Sequence, residues 1–400
     1  MNDSTTTPST GNLVLPPEHL LAPDIRPMLP AVFSTKLLNW PKLDEAVLYL
    51  LHRVTTYMWL MEEEEAPVHA RHFCAVVGKD LGHRIIHECV AADFLWTNWK
   101  YKTEVHARLY RPTDYLRLFD IRRVEASAWL TNKIRLHREQ QTNETLCSSP
   151  VMLGLYRDLS RFSLGGYFEA TLLALAQKNP AAAPFYRLQV DRFINRQVFF
   201  TRPSGARLYH AVSSLTRELR RHLRADGQPC GEADISACFP SILTTFYLTS
   251  GAERTKFVGF VLADFYSCLL PTVIAISGKA MTRDELKKKW MIELFGPDYL
   301  RQHVWAAMQR EFPDLCVQIE RMRKGNYRNL ARRLQKIESE LVLDTAVPLI
   351  KTALSGVAIS TIHDCIVCPV EALEPVADIL RATFAKALGF EPLIKISLHT

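Results

Sequence analysis

The stretch 231–243, Gly-Glu-Ala-Asp-Ile-Ser-Ala-Cys-Phe-Pro-Ser-Ile-Leu, sets one carboxylate inside an apolar run. Glu232, Asp234 and Ser236 alternate with Ala233 and Ile235, the period of a β-strand. Pro240 suits a first helical turn, where its fixed φ is already helical and its missing N–H is not needed. The residues therefore predict a strand that ends near Asp234 and leads into a helix, with the carboxylate aimed at one face. A second stretch, 357–368, reads Val-Ala-Ile-Ser-Thr-Ile-His-Asp-Cys-Ile-Val-Cys. Here His363-Asp364 parts two β-branched runs, as the turn of a hairpin does.

A buried acid needs a partner or a cation. Two carboxylates 4 Å apart repel by about 4 kcal/mol at an effective dielectric near 20. A divalent cation relieves that repulsion, and acids that clamp two Mg²⁺ ions serve in-line phosphoryl displacement in polymerases and nucleases. Two Mg²⁺ ions, with Mn²⁺ as the substitute, are the cofactors this pairing predicts.

Bulk properties narrow the setting. The chain has 400 residues, 48% hydrophobic and 23% charged, with a net charge of +7, which fits a soluble protein of two or three domains, or one large domain with lobes, and is compatible with a polyanionic partner. Its nine cysteines are scattered and odd in number, and the N-terminus lacks a basic region followed by an apolar core. These features predict reduced thiols and a cytoplasmic protein. No apolar run approaches the ~20 residues of a membrane span, so no membrane partner is expected.

In chain order, residues 1–16 are polar and predict a disordered tail. Residues 17–120 predict a helical, winged-helix-like domain. Apolar residues recur at helical spacing over 43–61, and the acidic run 62–65 reads as a solvated helix end. His69, His72, Cys74, His83, His87 and Cys89 invite a zinc reading. Their spacing matches no common ribbon or finger, and 80–92 reads as an amphipathic helix with Leu81, Ile85, Ile86 and Val90 on its core face. Structural histidines are the expectation. Two short helices, about 68–78 and 80–92, precede a hairpin pattern over 94–101 and 105–118 that carries Lys100, Lys102, Arg108 and Arg111. Helix, helix and β-wing fit a phosphate-gripping winged helix; a helical lobe with a hairpin and no ligand is the alternative.

Residues 121–186 predict a helical region with breaks at 142–150 and 179–184. From 187 arginines interleave with aromatics (Arg192, Phe193, Arg196, Phe199, Phe200, Arg207, Tyr209), a pattern suited to phosphate contact and base stacking. Further on, Thr282 and Glu285 predict a capping box. Arg283, Lys287, Met291 and Phe295 then recur every four residues, which lines one helical face with two cations followed by two large apolar groups. A triphosphate lying along the cations would place its base at the Phe295 end. The run 321–336 holds seven basic and no acidic residues and reads as a surface for template or primer.

Taken together, these segments resemble family A DNA polymerases and their relatives, the single-subunit phage-type RNA polymerases. Asp234-Ile-Ser236 matches the first motif of that superfamily. Arg283, Lys287, Met291 and Gly296 match its fingers helix, with Phe295 standing where the family has tyrosine. His363-Asp364 matches the last motif. Gln335 lies at the family's distance before it, and Ser204-Gly-Ala-Arg-Leu208 weakly echoes an upstream segment that contributes Arg207. The resemblance covers about 200–400. The first 180 residues show no proofreading exonuclease pattern.

The resemblance implies an α+β, right-hand polymerase. Its antiparallel palm sheet would come from 187–250 and 335–400, and its helical fingers from 251–334. The 121–186 region would stand in the place of a thumb. It also implies that Asp234, Asp364 and the Ile235 carbonyl hold the metals, and that Arg283, Lys287, Met291, Phe295 and Phe239 meet the nucleotide, with Lys287 protonating the leaving group. Arg207, Gln335, His363, Arg332 and Arg333 would meet the nucleic acid. Phe239 occupies the sugar-sensing position, and its bulk predicts deoxynucleotides. DNA primer–template and dNTPs are the expected partners. RNA synthesis or priming is the alternative. A replication or mobile-element protein with a degenerate polymerase lobe is another reading, and a nuclease, which would leave the Arg/Lys helix without a role, is a third.

Overall fold

The computed structural model describes residues 19–22, 40, 42–61, 65–68, 70–98, 108–113, 122–196, 199–203, 206–248 and 251–399. The expected tail 1–16, residues 62–64, His69, residues 99–107 with Lys100 and Lys102, residues 114–118 and the Ser204-Gly205 pair lie outside them. The described chain is mixed helix and antiparallel sheet, in two compact units: one from 1–100, 107–140 and 172–198, the other from 101–106, 141–171 and 199–400.

In the first unit, strand β1 (His19–Ala22) pairs antiparallel with β5 (Arg122–Glu125). Helix α1 (Leu43–Met61) supplies the core: Val47, Leu50, Leu51 and Val54 are fully buried and belong to one cluster with Phe73, Ile85 and Phe94. Strand β2 (Ala66–Pro67) follows, then helices α2 (Ala70–Val77) and α3 (Lys79–Ala91), then strands β3 (Leu95–Thr97) and β4 (Leu109–Pro112). The strands close an antiparallel sheet of order β2-β4-β3. Helices α2 and α3 pack so closely that a Cβ on Gly82 would come within 2.5 Å of the Cys74 sulfur. The two helices and the hairpin arise as the sequence predicts. Leu81 and Val90 pack against the core only partly buried, while Ile85 and Ile86 are buried. Cys74 and Cys89 point inward, whereas His72, His83 and His87 are exposed, so the helix pair separates the thiols from the imidazoles. Helix α4 (Ala128–Leu146) begins in this unit, and its last turns belong to the second.

The second unit is built on a six-stranded antiparallel sheet. Helix α5 (Pro150–Leu159), capped by Ser149, leads into β6 (Phe162–Leu164). A two-stranded ribbon, β7 (Phe200–Thr201) and β8 (Tyr209–His210), stands apart from the main sheet. Strand β9 (Leu223–Ala225) then turns through Asp226-Gly227 into β10 (Gln228–Ile235), which runs through the middle. After β10 come helices α6 (Cys238–Leu243), α7 (Ala252–Ser277), α8 (Arg283–Phe295), α9 (His303–Glu311), α10 (Pro313–Arg323) and α11 (Arg328–Ser339). A seven-residue π-helical segment, Glu340–Ala346, joins α11 to α12 (Val347–Ala353). The chain ends with hairpin β11 (Ser360–Ile362) and β12 (Cys365–Pro369), helix α13 (Leu373–Leu388) and β13 (Ile394–Leu398). The sheet order is β11-β12-β10-β9-β6, with β13 also on β10. Helix α13 packs on β10 and β13.

Two expectations need correction. The region 121–186, expected to be helical, opens with strand β5 (Arg122–Glu125) and is interrupted by β6 (Phe162–Leu164). Helix α7 is 26 residues long and, by length and composition, apolar enough to span a membrane, contrary to the reading that no such run exists. About a third of its most apolar window is buried, by Phe257, Val261, Phe265, Tyr266, Leu269 and Val273. Asp264 breaks it: its φ of 83° and ψ of 94° are not helical, so two helical pieces meet there at a kink.

Candidate active site

Each acid sits close to a point where the backbone leaves its regular conformation. Asp234 is the penultimate residue of β10, opposite Cys365 on β12 and Lys395 on β13. Asp364 immediately precedes Cys365, so this register brings the two carboxylates to neighbouring strand ends. Each has a left-handed residue near it: Ala237 at φ 50°, three residues past Asp234, caps α6, and His363 at φ 60° opens the two-residue turn between β11 and β12. Such conformations cost a non-glycine residue free energy and recur where a side chain has to be re-aimed. Ile235, whose carbonyl is the expected third metal ligand, is buried and paired with Ile394.

Electrostatics ties the acids together. Burial pushes Asp364 up to about 7, with the charge of Asp234 adding to the rise while Arg207 and Lys287 oppose it. Burial also pushes Asp234 up to about 6, Glu232 adds to that, and Lys287, Lys395 and Arg217 oppose it. The charge of Lys287 thus acts on both acids. Glu232, two residues before Asp234 on the same strand face, is engaged by Arg220 at 3.3 Å and by His399 at 3.4 Å.

Helix α8 carries the expected capping box. Thr282 Oγ1 accepts from Glu285 N, and the Glu285 carboxylate accepts from Thr282 N. Arg283 and Lys287 do share a face: both lie over the ring of Tyr266, at 5.3 and 5.9 Å from its centre. Arg283 also donates to both oxygens of Asp264, at 2.8 and 3.0 Å. The strained kink in α7 is therefore the place where this cation is held. Met291 is half-buried, and Phe295 packs edge-on against Trp290 at 5.9 Å.

Phe239 meets that same aromatic end. Its ring is edge-on to Phe295 at 5.4 Å, so it turns toward α8 and not into the sheet core. Arg207 lies over the Phe239 ring at 5.3 Å and donates to both oxygens of Glu338, at 2.9 and 2.7 Å. His363 is edge-on to Tyr209 at 6.1 Å. Burial, helped by Arg207, lowers it to about 4, which leaves it neutral near pH 7. Its Nδ1 is buried without a hydrogen-bond partner.

Helix α11 departs from expectation in which residue it contributes. Gln335 is half-buried, and Arg332 and Arg333 are exposed. The side chain that α11 delivers to the acids is Glu338, only 1% exposed, which burial, with a smaller push from the charge of Asp364, raises to about 7 against the opposing hydrogen bonds and charge of Arg207. A signal for it exists in the sequence: Leu330, Leu334 and Glu338 form one four-residue stripe, with an acid where an apolar residue should continue it. Asp264 and Tyr266 are further residues that sequence reasoning misses, inside an apolar run that gives no reason to interrupt a helix.

No protein-family model matches the chain, and no curated protein matches it. Among solved structures, it is similar to the POL domain of Pol1 from M. smegmatis, described as a complex with DNA primer-template and dNTP, at 13% identity and a TM-score of 0.40. That match covers 57% of this chain and 54% of the other, so the chain spans about half the length of that solved structure.

Proposed function

We propose that the second unit is a template-directed nucleotidyltransferase of the family A type, without a proofreading exonuclease, extending a DNA primer with deoxynucleotides. The observation that carries this reading is the convergence of two mutually repelling acids, Asp234 and Asp364, with the cations of α8: Lys287 bears on both carboxylates, and Arg283 shares its face. A nuclease needs the acids but has no use for a cation-lined helix ending in aromatics.

The donor set fits magnesium. Both ligands are hard carboxylate oxygens, and burial together with their mutual repulsion favours a cation between them. No cluster of three or more His, Cys, Asp or Glu able to hold a metal occurs among the described residues. Mg²⁺ is commonly bound through one or two carboxylates, with water and substrate phosphates completing its shell. Asp234 and Asp364 would hold the ions, with the Ile235 carbonyl assisting. When bound, divalent ions supply charge neutralisation at the attacking and leaving oxygens.

The protein's own groups do the rest. Arg283 and Lys287 bind the triphosphate, and Lys287 donates a proton to the departing pyrophosphate. Phe295 and Met291 receive the base. Phe239 stands against the sugar and excludes a 2′-hydroxyl, which it cannot hydrogen-bond. His363, with an unpartnered buried nitrogen, offers a polar contact to the primer strand. Arg332 and Arg333 present exposed cations to a phosphate backbone.

In the first unit the order helix, strand, helix, helix, strand, strand and the closed β2-β4-β3 sheet support a winged helix that grips duplex nucleic acid. The exposed face of α3 carries His83, Arg84 and His87. On the hairpin, Arg111 lies 4.8 Å over the ring of Trp96, its cross-strand partner.

The deciding experiment is extension of primed and unprimed DNA and RNA templates by the purified full chain, with dNTP or rNTP pools and Mg²⁺ or Mn²⁺. Magnesium-dependent extension of primed DNA with dNTPs is expected. Cleavage without extension would replace this reading with a nuclease, and preference for rNTPs would replace it with an RNA polymerase.

A further inference from the structure

The buried pair Arg207–Glu338 has no role in the chemistry just described, yet it stands beside it. A carboxylate that is 1% exposed carries a desolvation cost that only close pairing offsets. Here the pairing is bidentate, through Arg207 Nε at 2.9 Å and Nη2 at 2.7 Å, the geometry that fixes a guanidinium plane most firmly. That plane lies over Phe239 at 5.3 Å, within the reach of a cation–π contact. The other side of the contact chain is aromatic: Phe239 edge-on to Phe295 at 5.4 Å, and Phe295 edge-on to Trp290 at 5.9 Å. Trp290 is fully buried, so this end of the chain is anchored in the core of α8. Phe239 itself is only half-buried and has no polar atom of its own to fix it.

We infer that Glu338 is a positioning residue for sugar selection: by holding Arg207 over the Phe239 ring, it restrains a ring that also meets the edge-on Phe295–Trp290 pair. A ring free to rotate would open space for a 2′-hydroxyl; a ring held by both contacts does not. The inference rests on the reading of Phe239 as the residue that meets the sugar. It assigns Glu338, and not Gln335, as the side chain through which α11 serves the site. It also gives Arg207 a role inside the protein in place of a direct contact to nucleic acid.

The test is the ratio of kcat/KM for dNTP to that for rNTP on one primer–template, in wild type, Phe239→Ala, Glu338→Gln, Arg207→Lys and the Phe239→Ala/Glu338→Gln double variant, each checked for folding by circular dichroism and thermal melting. Glu338→Gln keeps size but removes the charge that orients the guanidinium; Arg207→Lys keeps charge but removes the planar fork. Each is expected to lower the ratio about tenfold, with Phe239→Ala lowering it at least as much. The double variant should do no worse than Phe239→Ala alone, because both act through one ring. A folded Glu338→Gln with an unchanged ratio, while Phe239→Ala lowers it, would reduce the pair to a structural tie; if Glu338→Gln does not fold, an unchanged ratio in Arg207→Lys overturns the inference equally. An unchanged ratio in Phe239→Ala would remove Phe239 from the sugar site, a failure of the underlying reading distinguishable from a failure of Glu338.

Discussion

The antiparallel sheets of the two units distribute charge in opposite ways. The six-stranded sheet of the second unit gathers Glu232, Asp234, Asp364, His363 and, from α11, Glu338 into surroundings that shift their protonation. The three-stranded sheet of the first unit backs onto an apolar cluster, with Phe73, Ile85 and Phe94 inside and His83, Arg84 and His87 outside. Desolvated charge is costly, so its concentration around the ends of neighbouring strands favours the proposal of chemistry there. Exposed cations cost little and are screened by salt, which suits reversible contact with a polyanion. On the proposed reading the contrast separates a unit that reacts from one that holds, and substitutions should affect the two by very different magnitudes.

The largest effect is expected at the acids. Asp234→Asn or Asp364→Asn should lower primer extension by about a thousandfold or more while leaving the fold intact, because either change removes a ligand the ions depend on. Single-turnover extension at saturating Mg²⁺, with circular dichroism as the folding control, checks this. Near-normal rates in either variant would leave the buried charge of the second unit without a catalytic reason.

Next comes the cation-bearing helix. Lys287→Ala should mainly lower the chemical rate and Arg283→Ala mainly raise the nucleotide KM, each by about ten- to a hundredfold. Asp264 sharpens the test, since its carboxylate holds Arg283 and must give that cation up to a triphosphate. Asp264→Asn should therefore lower the nucleotide KM by a few-fold, opposite in sign to Arg283→Ala. Rapid-quench titrations of dNTP would separate these outcomes.

The acids and basic helix are readable because their signals are local: a polar residue in a β-branched run, a capping box, a repeat of four. Glu338 is readable only in part: the stripe Leu330, Leu334, Glu338 marks an acid on a core face, but its meaning lies in tertiary placement, and only the fold sets it against Arg207. The kink at Asp264 is hidden by an apolar run whose composition favours a continuous helix. In the first unit the two helices and the hairpin show through their periodicity, but β2 is two residues long and too short to alternate. Its pairing with β4, which completes the sheet, arises from chain topology and not from local pattern.

A smaller effect should appear in stability against pH. Asp234 and Asp364 titrate near 6 and 7 in the folded chain against a reference of 3.8, so between about pH 4 and 7 the native state binds more protons than the unfolded one. Their contribution to stability is full below about pH 4 and is lost as pH rises through 6 and 7. His363 and His210, lowered by burial to about 4, act in the opposite direction, weakening the fold as pH falls below their ordinary value of 6.5. Asp364→Asn should therefore raise Tm at pH 8 and change it little at pH 4. Mg²⁺ should raise the wild-type Tm more at pH 8 than at pH 5, and less in the variant. Differential scanning fluorimetry over that range is sufficient. A Tm at pH 8 that neither Asn nor Mg²⁺ moves would remove the repulsion on which the metal site rests.

The mildest effects belong to the first unit, and they follow from charge that is exposed at Arg84 and half-buried at Arg111. If α3 and the hairpin hold duplex DNA by its phosphates, each cation removed should weaken binding only a few-fold, but it should also remove counterion release in proportion. Arg84→Ala on α3 and Arg111→Ala on β4, made in the full chain, should each make the slope of log K against log salt shallower by about one. Arg111 also stacks on Trp96, which is 39% exposed, so its removal should brighten or shift that indole's fluorescence as well. Affinity for a duplex without a primer end, measured by anisotropy between about 50 and 200 mM salt, isolates this unit's contribution from primer–template binding at the acids. Slopes that do not change in either variant would leave the helix–helix–hairpin as a scaffold, and the contrast between the units would then be one of reactive against inert.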